Sequence, residues 1–330
     1  MDPSKLIRFY GVTFGPGFLG WDRYEYAPSV EKVLDTANKI EAEGIEVRFE
    51  GEVEYRAKSL RPSKGPDAAR IEKIITGISR SGCALNLHLS EYILSLFDSQ
   101  ELDNQFLQNF HWIIGHHRYQ DGFIERIEEK TLSDILNIKE SQITSTGELL
   151  KEDYGLSWLK ENLLIENGSR PNNSIHKISA LARKFEINKT FDIGHFMMGF
   201  YELDKKGKTY DSLDNYSKLI PKTGREINQG IINSLSENIV HLHVHGVRWM
   251  KRGEFGYAVD HVPLDRQVIN SPQEYRLAWN IIQNAKKIDS YTVELQQRLQ
   301  TVQNLRNTIQ NFENFETYFQ KLFGYSLSSS

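Results

Sequence analysis

The sequence predicts an α/β fold: a single (β/α)8 barrel domain spanning residues 1–330, with insertions after strands four and six. Three observations predict it. Short apolar, β-branched segments alternate with longer segments whose apolar residues recur at helical spacing. Eight such units can be counted, and parallel strands joined by helical crossovers close into a barrel at that number. Histidines and carboxylates fall at the C-terminal ends of the strands, where such barrels carry their chemistry. No Gly-rich phosphate turn follows the first strand, which argues against an open doubly wound sheet.

Ile7–Phe14 reads as strand one, followed by a loop with Gly15, Pro16 and Gly17. Val30, Val33, Leu34, Ala37 and Ile40 repeat at helical spacing, with Gly44 as the stop. Ile45–Phe49 is strand two, and Pro62, Gly65 and Pro66 mark a loop after it. Ile71, Ile74, Ile75 and Ile78 form the stripe of helix two, ended near Gly82. Ala84–Leu89 is strand three; Phe106, Leu107 and Phe110 mark the end of helix three. His111–His116 is strand four, and an insertion of about Gln120–Leu159 follows. Leu163–Asn167 is strand five, and Ser174 caps a helix striped by Ile175, Ile178, Leu181, Ala182 and Phe185.

Strand six ends at Asp192 and Ile193, with a glycine turn at Gly194 and His195 beyond. The polar stretch Phe200–Ser236 reads as an irregular lid and then a helix. Ile239–His245 is strand seven, and Tyr275, Ala278, Trp279, Ile282 and Ala285 stripe the next helix. Tyr291–Leu295 is strand eight. Val302, Leu305, Ile309, Phe312 and Phe319 stripe one last helix.

Composition narrows the function classes. A chain 39% hydrophobic and 25% charged is an ordinary globular one. A formal net charge of −4 without a basic stripe argues against nucleic acid. The lone cysteine, Cys83, permits no internal disulfide and is read as a small core residue in a reducing compartment. Neither a signal peptide nor an apolar run of membrane-spanning length stands out, so a cytoplasmic location is expected.

The strand ends carry the functional signal. His88 ends strand three, His116 strand four and Glu166 strand five. Strand six gives Asp192 and His195; strand seven gives His243 or His245, then Asp260 and His261 in its loop; strand eight gives Glu294. Of ten histidines only His176 falls in a helix stripe, and it is expected at the surface. His241, His243 and His245 share one strand face, so at most one or two of them reach a common point. Each residue has a plainer role open to it: Asp192 as a helix cap, Glu294 as an ion-pair partner, His111 and His241 as structural residues. All of them together at successive strand ends point to a divalent cation of the zinc, manganese or iron(II) kind, one to three per chain. Bare carboxylates buried in a barrel mouth are costly, and a cation resolves that cost.

These residues resemble the xylose-isomerase-like TIM barrel superfamily, which includes endonuclease IV-type enzymes. The likeness rests on Leu164-Ile165-Glu166-Asn167, Asp192-Ile193-Gly194-His195, the strand-seven histidines, Asp260-His261-Val262-Pro263-Leu264 and Val293-Glu294. The resemblance implies Glu166, Asp192, His243 and Glu294 as metal ligands. The phosphodiester-cleaving members would add His88, His116, His195, Asp260 and His261. The sequence departs from endonuclease IV-type enzymes in making Asp260 and His261 adjacent. It lacks the Gly-Glu-Gly that often follows the equivalent of Pro263-Leu264 in isomerases, having Asp265 and Arg266 there. The run His243-Val244-His245-Gly246 with Asp260-His261 is also similar to cobamide-remodelling phosphodiesterases of the same superfamily.

Two enzymatic readings follow. In the first, a metal-dependent hydrolase cleaves a small-molecule phosphodiester, with Glu166, Glu294 and His195 at the reaction centre. In the second, a sugar or sugar-phosphate isomerase or epimerase uses Glu166 and Glu294 as an acid/base pair around one metal. His245, Arg248 and Arg266 are expected to contact substrate. A third, non-catalytic reading with a purely structural metal is the weakest, because structural zinc sites favour cysteine.

Overall fold

The fold is seen in a computed structural model that describes residues 2–15, 28–56, 59–102, 104–116, 161–168, 174–206, 229–252, 255–265, 272–324 and 326. Eight parallel strands close into a barrel: β1 (Ile7–Phe14), β12 (Ser290–Val293), β9 (Ile239–Val244), β8 (Asn188–Asp192), β7 (Leu163–Glu166), β6 (Trp112–His116), β5 (Ala84–His88) and β2 (Gly44–Phe49), in that order. The eight expected strands are these eight. The 120–159 insertion lies outside the described residues, as does most of the expected lid, 207–228.

Contacts divide the chain into two compact units. One comprises Met1–Tyr10, Lys39–Ala42 and Glu166–Ser330; the other comprises Gly11–Asn38 and Glu43–Ile165. The second contains α1 (Val30–Lys39, its last residue apart), α2 (Ala68–Ser79), α3 (Glu91–Asp98) and the short α4 (Asn104–Leu107). The Ile71, Ile74, Ile75 and Ile78 stripe of α2 is buried as its spacing predicts, and Phe14 stacks on Phe49 with ring centroids 5.8 Å apart. α1 ends before Gly44, through Glu41 at φ 57°, and Gly44 opens β2 instead of stopping the helix. The loop expected after strand two is an antiparallel hairpin, β3 (Glu52–Arg56) with β4 (Ser59–Lys64). Cys83 is half-buried, not a core residue.

The first unit holds α5 (Ile175–Phe185), α6 (Ile193–Lys206), α7 (Gln229–Ser236), α8 (Pro272–Asn284), α9 (Val302–Glu313) and α10 (Phe315–Phe323). Ser174 sits at the N-cap of α5, as expected, though without a side-chain cap bond. The expected glycine turn at Gly194 is the first turn of α6, which continues through the start of the expected lid. The last stripe belongs to two helices, broken at Asn314 (φ −110°, ψ 48°). Trp279 of α8 stacks on Phe315 of α10 at 4.5 Å and 9°, closing that side of the core. After β9 comes a second antiparallel hairpin, β10 (Gly246–Arg252) and β11 (Phe255–Val262), which carries Asp260 and His261 back to the strand end. Among the described residues no helix is long and apolar enough to cross a membrane.

Candidate metal centre

Strand register assembles the site in the first unit. β9 lies between β8 and β12, with Asp192 and Thr292 both level with His243, and Thr190 and Ser290 both level with His241. One layer down, His241 is fully buried and spent on structure: its ring nitrogens lie 2.7 Å from Ser290 Oγ and 3.0 Å from Thr292 Oγ1. One layer up, at the strand ends, the partners become carboxylates. His243 Nδ1 is 2.9 Å from Glu166 Oε1 and 3.4 Å from Glu294 Oε2.

Asp192 is the hub. Its Oδ1 accepts the His195 N–H at 2.6 Å, so it caps α6 and fixes His195 in the first helical turn. The plain capping role and the site role thus coexist in one carboxylate. His195 Nδ1 lies 3.1 Å from Asp192 and 3.6 Å from Glu166, and its Nε2 lies 3.3 Å from Asp260. His245 Nε2 lies 3.0 Å from Asp192. His261 closes the ring, with Nδ1 3.2 Å from Asp260 and Nε2 3.5 Å from Glu294.

Four carboxylates therefore meet four imidazoles, and Glu166, Asp192, His243 and His245 are essentially inaccessible to solvent. Burial alone would lower the proton affinity of His195, but Asp192, Asp260 and Glu166 outweigh it and hold its pKa well above the ordinary histidine value. His261 is likewise pushed up to about 10 against its burial, by Glu294 and Asp260. Burial would raise Asp260, but His261 and His195 hold it well below the usual carboxylate range. The two raised histidines report the carboxylates packed around them, and the lowered Asp260 reports the two imidazoles beside it: buried carboxylates here are answered by positive charge.

The donors fit a divalent ion. The candidate ligand atoms of Asp192, His195, His245 and His261 all lie within 4.8 Å of one another, and so do those of Glu166, Asp192 and His243. Ligands about 2 Å from one ion lie within about 4 Å of each other, so a shift of under about 1 Å would bring each group onto an ion, and oxygen with imidazole nitrogen suits zinc, manganese or iron(II).

The other expected site residues fall as follows. His88 ends β5 in the second unit, buried, with Nδ1 3.1 Å from the Leu89 carbonyl oxygen. It is level with Arg48 on β2, and the buried Glu46 is level with Asn86. His116 ends β6, and its side chain and all of Arg266 lie outside the described residues. Arg248 pairs with Asp265. His245, expected to contact substrate, lies among the candidate donors. His176 is half-buried, and burial with the nearby Lys189 charge lowers it to about 4, so it is not the surface residue expected.

Three residues support the site in ways the sequence did not suggest: Asn167, Gln296 and Gly194, which was read as a turn. Asn167 staples two strand ends, donating to the Asp192 carbonyl at 3.0 Å and accepting the Asp192 N–H at 2.9 Å. Gly194 leaves room for a ring, since a Cβ there would stand 2.0 Å from His245 Cε1. Gln296 clamps the loop: its N–H donates to the His261 carbonyl at 2.7 Å and its amide to the Asp260 carbonyl at 2.9 Å. That clamp matters because His261 is held at φ 52°, a left-handed conformation uncommon outside glycine.

No family model and no curated protein matches the sequence. Solved structures are similar to it over most of the chain. A probable 2-pyrone-4,6-dicarboxylic acid hydrolase from Acinetobacter baumannii with citric acid bound is 9% identical, covering 97% of this chain and 100% of that one, with a TM-score of 0.46. A xylose isomerase domain protein from Planctomyces limnophilus is 9% identical over 97% of this chain and 98% of its own, with a TM-score of 0.44. A probable 3-DHS dehydratase involved in petrobactin synthesis, from Bacillus anthracis, is 12% identical over 92% and 98%, with a TM-score of 0.45.

Proposed function

We propose that this chain is a divalent-metal-dependent hydrolase of a small-molecule phosphodiester. The observation that carries the reading is the sharing of Asp192 by two donor groups. One group with Glu166, Asp192, His243 and Glu294 would serve an isomerase with a single ion. A second group with His195, Asp260 and His261 favours more than one ion, which suits a diester whose attacking and leaving oxygens both need stabilising. The reading keeps His88 and His116 as proposed donors, as the resemblance implies.

Divalent ions bound there supply a Lewis acid for a phosphoryl oxygen and activate a water molecule. The side chains do the rest. Glu166 and Asp192, fixed at strand ends, would hold the cations. Asp192 also fixes His195 through the cap of α6. Asp260 orients the His195 and His261 rings from the side opposite Asp192 and Glu294. Four carboxylates repel an anionic diester unless cations are present, so substrate binding requires the loaded site.

The test is hydrolysis of bis(4-nitrophenyl) phosphate by the full chain with zinc or manganese, beside Glu166→Gln and a panel of aldose and ketose phosphates. Metal-dependent diester cleavage, falling about 100-fold or more in Glu166→Gln, is expected. Sugar isomerisation without diester cleavage would replace this reading with the isomerase one.

A further inference from the structure

We infer that His245 is a positioning residue and not a metal ligand, although its ring lies within the donor group. The inference rests on the multi-ion reading above and assigns roles within it.

The His261 backbone N–H lies 2.9 Å from His245 Nδ1. A backbone amide can only donate, and its hydrogen direction is fixed by the chain, so Nδ1 must accept. A neutral imidazole with an accepting Nδ1 carries its hydrogen on Nε2. That nitrogen faces Asp192, 3.0 Å away, a carboxylate that can only accept. Both ring nitrogens are then committed, and His245 links the His261 backbone to Asp192. The Gly246 carbonyl oxygen also lies 3.2 Å from Nδ1, but it is the longer contact and would need a hydrogen where the His261 hydrogen already points.

His195 shows the opposite arrangement. Its Nδ1 lies 3.2 Å from the Asn167 carbonyl oxygen, an acceptor only. Nδ1 therefore carries a hydrogen, which leaves Nε2, 3.3 Å from Asp260, as the nitrogen a cation would take, the way metal-bound histidines are normally held.

Two further features show that the His245 ring is built into place. Gly194 provides the room, since any Cβ there would overlap the ring. The His245 ring stacks on His261 at 4.1 Å and 13°. His245 thus steers His261, a residue in a left-handed conformation.

The test compares His245→Gln, His245→Ala and His195→Gln in the full chain, reading zinc stoichiometry by elemental analysis and zinc affinity by competition with a chelating dye. His245→Ala should weaken zinc binding about 10- to 100-fold, the usual effect of losing a residue that orients a ligand. It should keep the wild-type stoichiometry at saturating zinc. His245→Gln retains an amide donor for Asp192 and should restore most of the affinity, whereas His195→Gln should lose an ion. Loss of an ion in His245→Gln, matching His195→Gln, would overturn the assignment. A measurement without substitution guards against misfolded variants: ¹⁵N-histidine correlation spectra of the zinc-loaded wild type. His245 should show a protonated Nε2 and an unprotonated, unligated Nδ1; a protonated Nδ1 with a zinc-shifted Nε2 would refute it. A wild-type chain that takes up no zinc overturns the multi-ion reading and this assignment with it. Zinc uptake with the wrong His245 pattern overturns this assignment alone.

Discussion

Lys189→Met should make the chain's stability respond differently to pH, because Lys189 is a buried amine outside the metal site. It leaves β8 toward the helices, with Nζ 2.7 Å from Ser179 Oγ and 2.8 Å from the Leu235 carbonyl oxygen. Burial first, and then the Arg183 charge, push its pKa from 10.5 down to about 7, with Glu237 opposing. A neutral amine has two N–H bonds and finds two acceptors there. The unfolded lysine keeps its proton up to its ordinary pKa, so between about pH 7 and 10.5 the unfolded state binds more protons, and stability rises with pH. The gap of about 3.5 pH units corresponds to a full penalty of about 5 kcal/mol, of which about 2 kcal/mol is relieved between pH 7 and 9.

Urea unfolding of metal-free wild type and Lys189→Met at both pH values isolates this effect. Other titrating groups are common to both chains, and His176, at about 4, is neutral throughout. Hydrogen bonds lost with the amine shift the variant equally at both pH values. The stability of Lys189→Met relative to wild type should therefore fall by about 2 kcal/mol on going from pH 7 to pH 9. A difference that does not change with pH would refute the reasoning.

Two further substitutions probe the site's supports. Gly194→Ala would ordinarily stabilise a helix by about 0.5–1 kcal/mol. Here, overlap with the His245 ring should reverse the sign and destabilise by about 1–3 kcal/mol, read by thermal unfolding. Gln296→Leu removes the amide that holds the Asp260 carbonyl and should cost about 1–2 kcal/mol in urea unfolding. Zinc titration of the same variant should show weaker binding.

The strand ends were legible because a barrel strand has a period of two and a fixed polarity. Asp192 and Glu166 could be placed at the mouth from their strand positions alone, whereas the same period left His243 and His245 as alternatives on one face. His241 could be set one layer deeper for the same reason, and the structure buries it against Ser290 and Thr292. The two hairpins were missed where Pro62 and Gly65 outweighed the Val53/Tyr55 alternation, and where the Val247/Trp249 alternation was read as part of a loop. Gly194 looked like a turn because glycine's freedom is visible in sequence and the need for space beside a distant ring is not. The break at Asn314 was hidden because the apolar stripe stays in phase across it. Burial of Lys189 depends on helices packed across β8, which local composition does not reveal.

The central claim is a centre that holds several cations around a shared Asp192. Elemental analysis of the purified full chain, reloaded with zinc or manganese, tests it most directly, with Asp192→Asn alongside. More than one ion per chain, with a marked loss in Asp192→Asn, is the result predicted. At most one ion per chain, or a content that Asp192→Asn leaves unchanged, would contradict it.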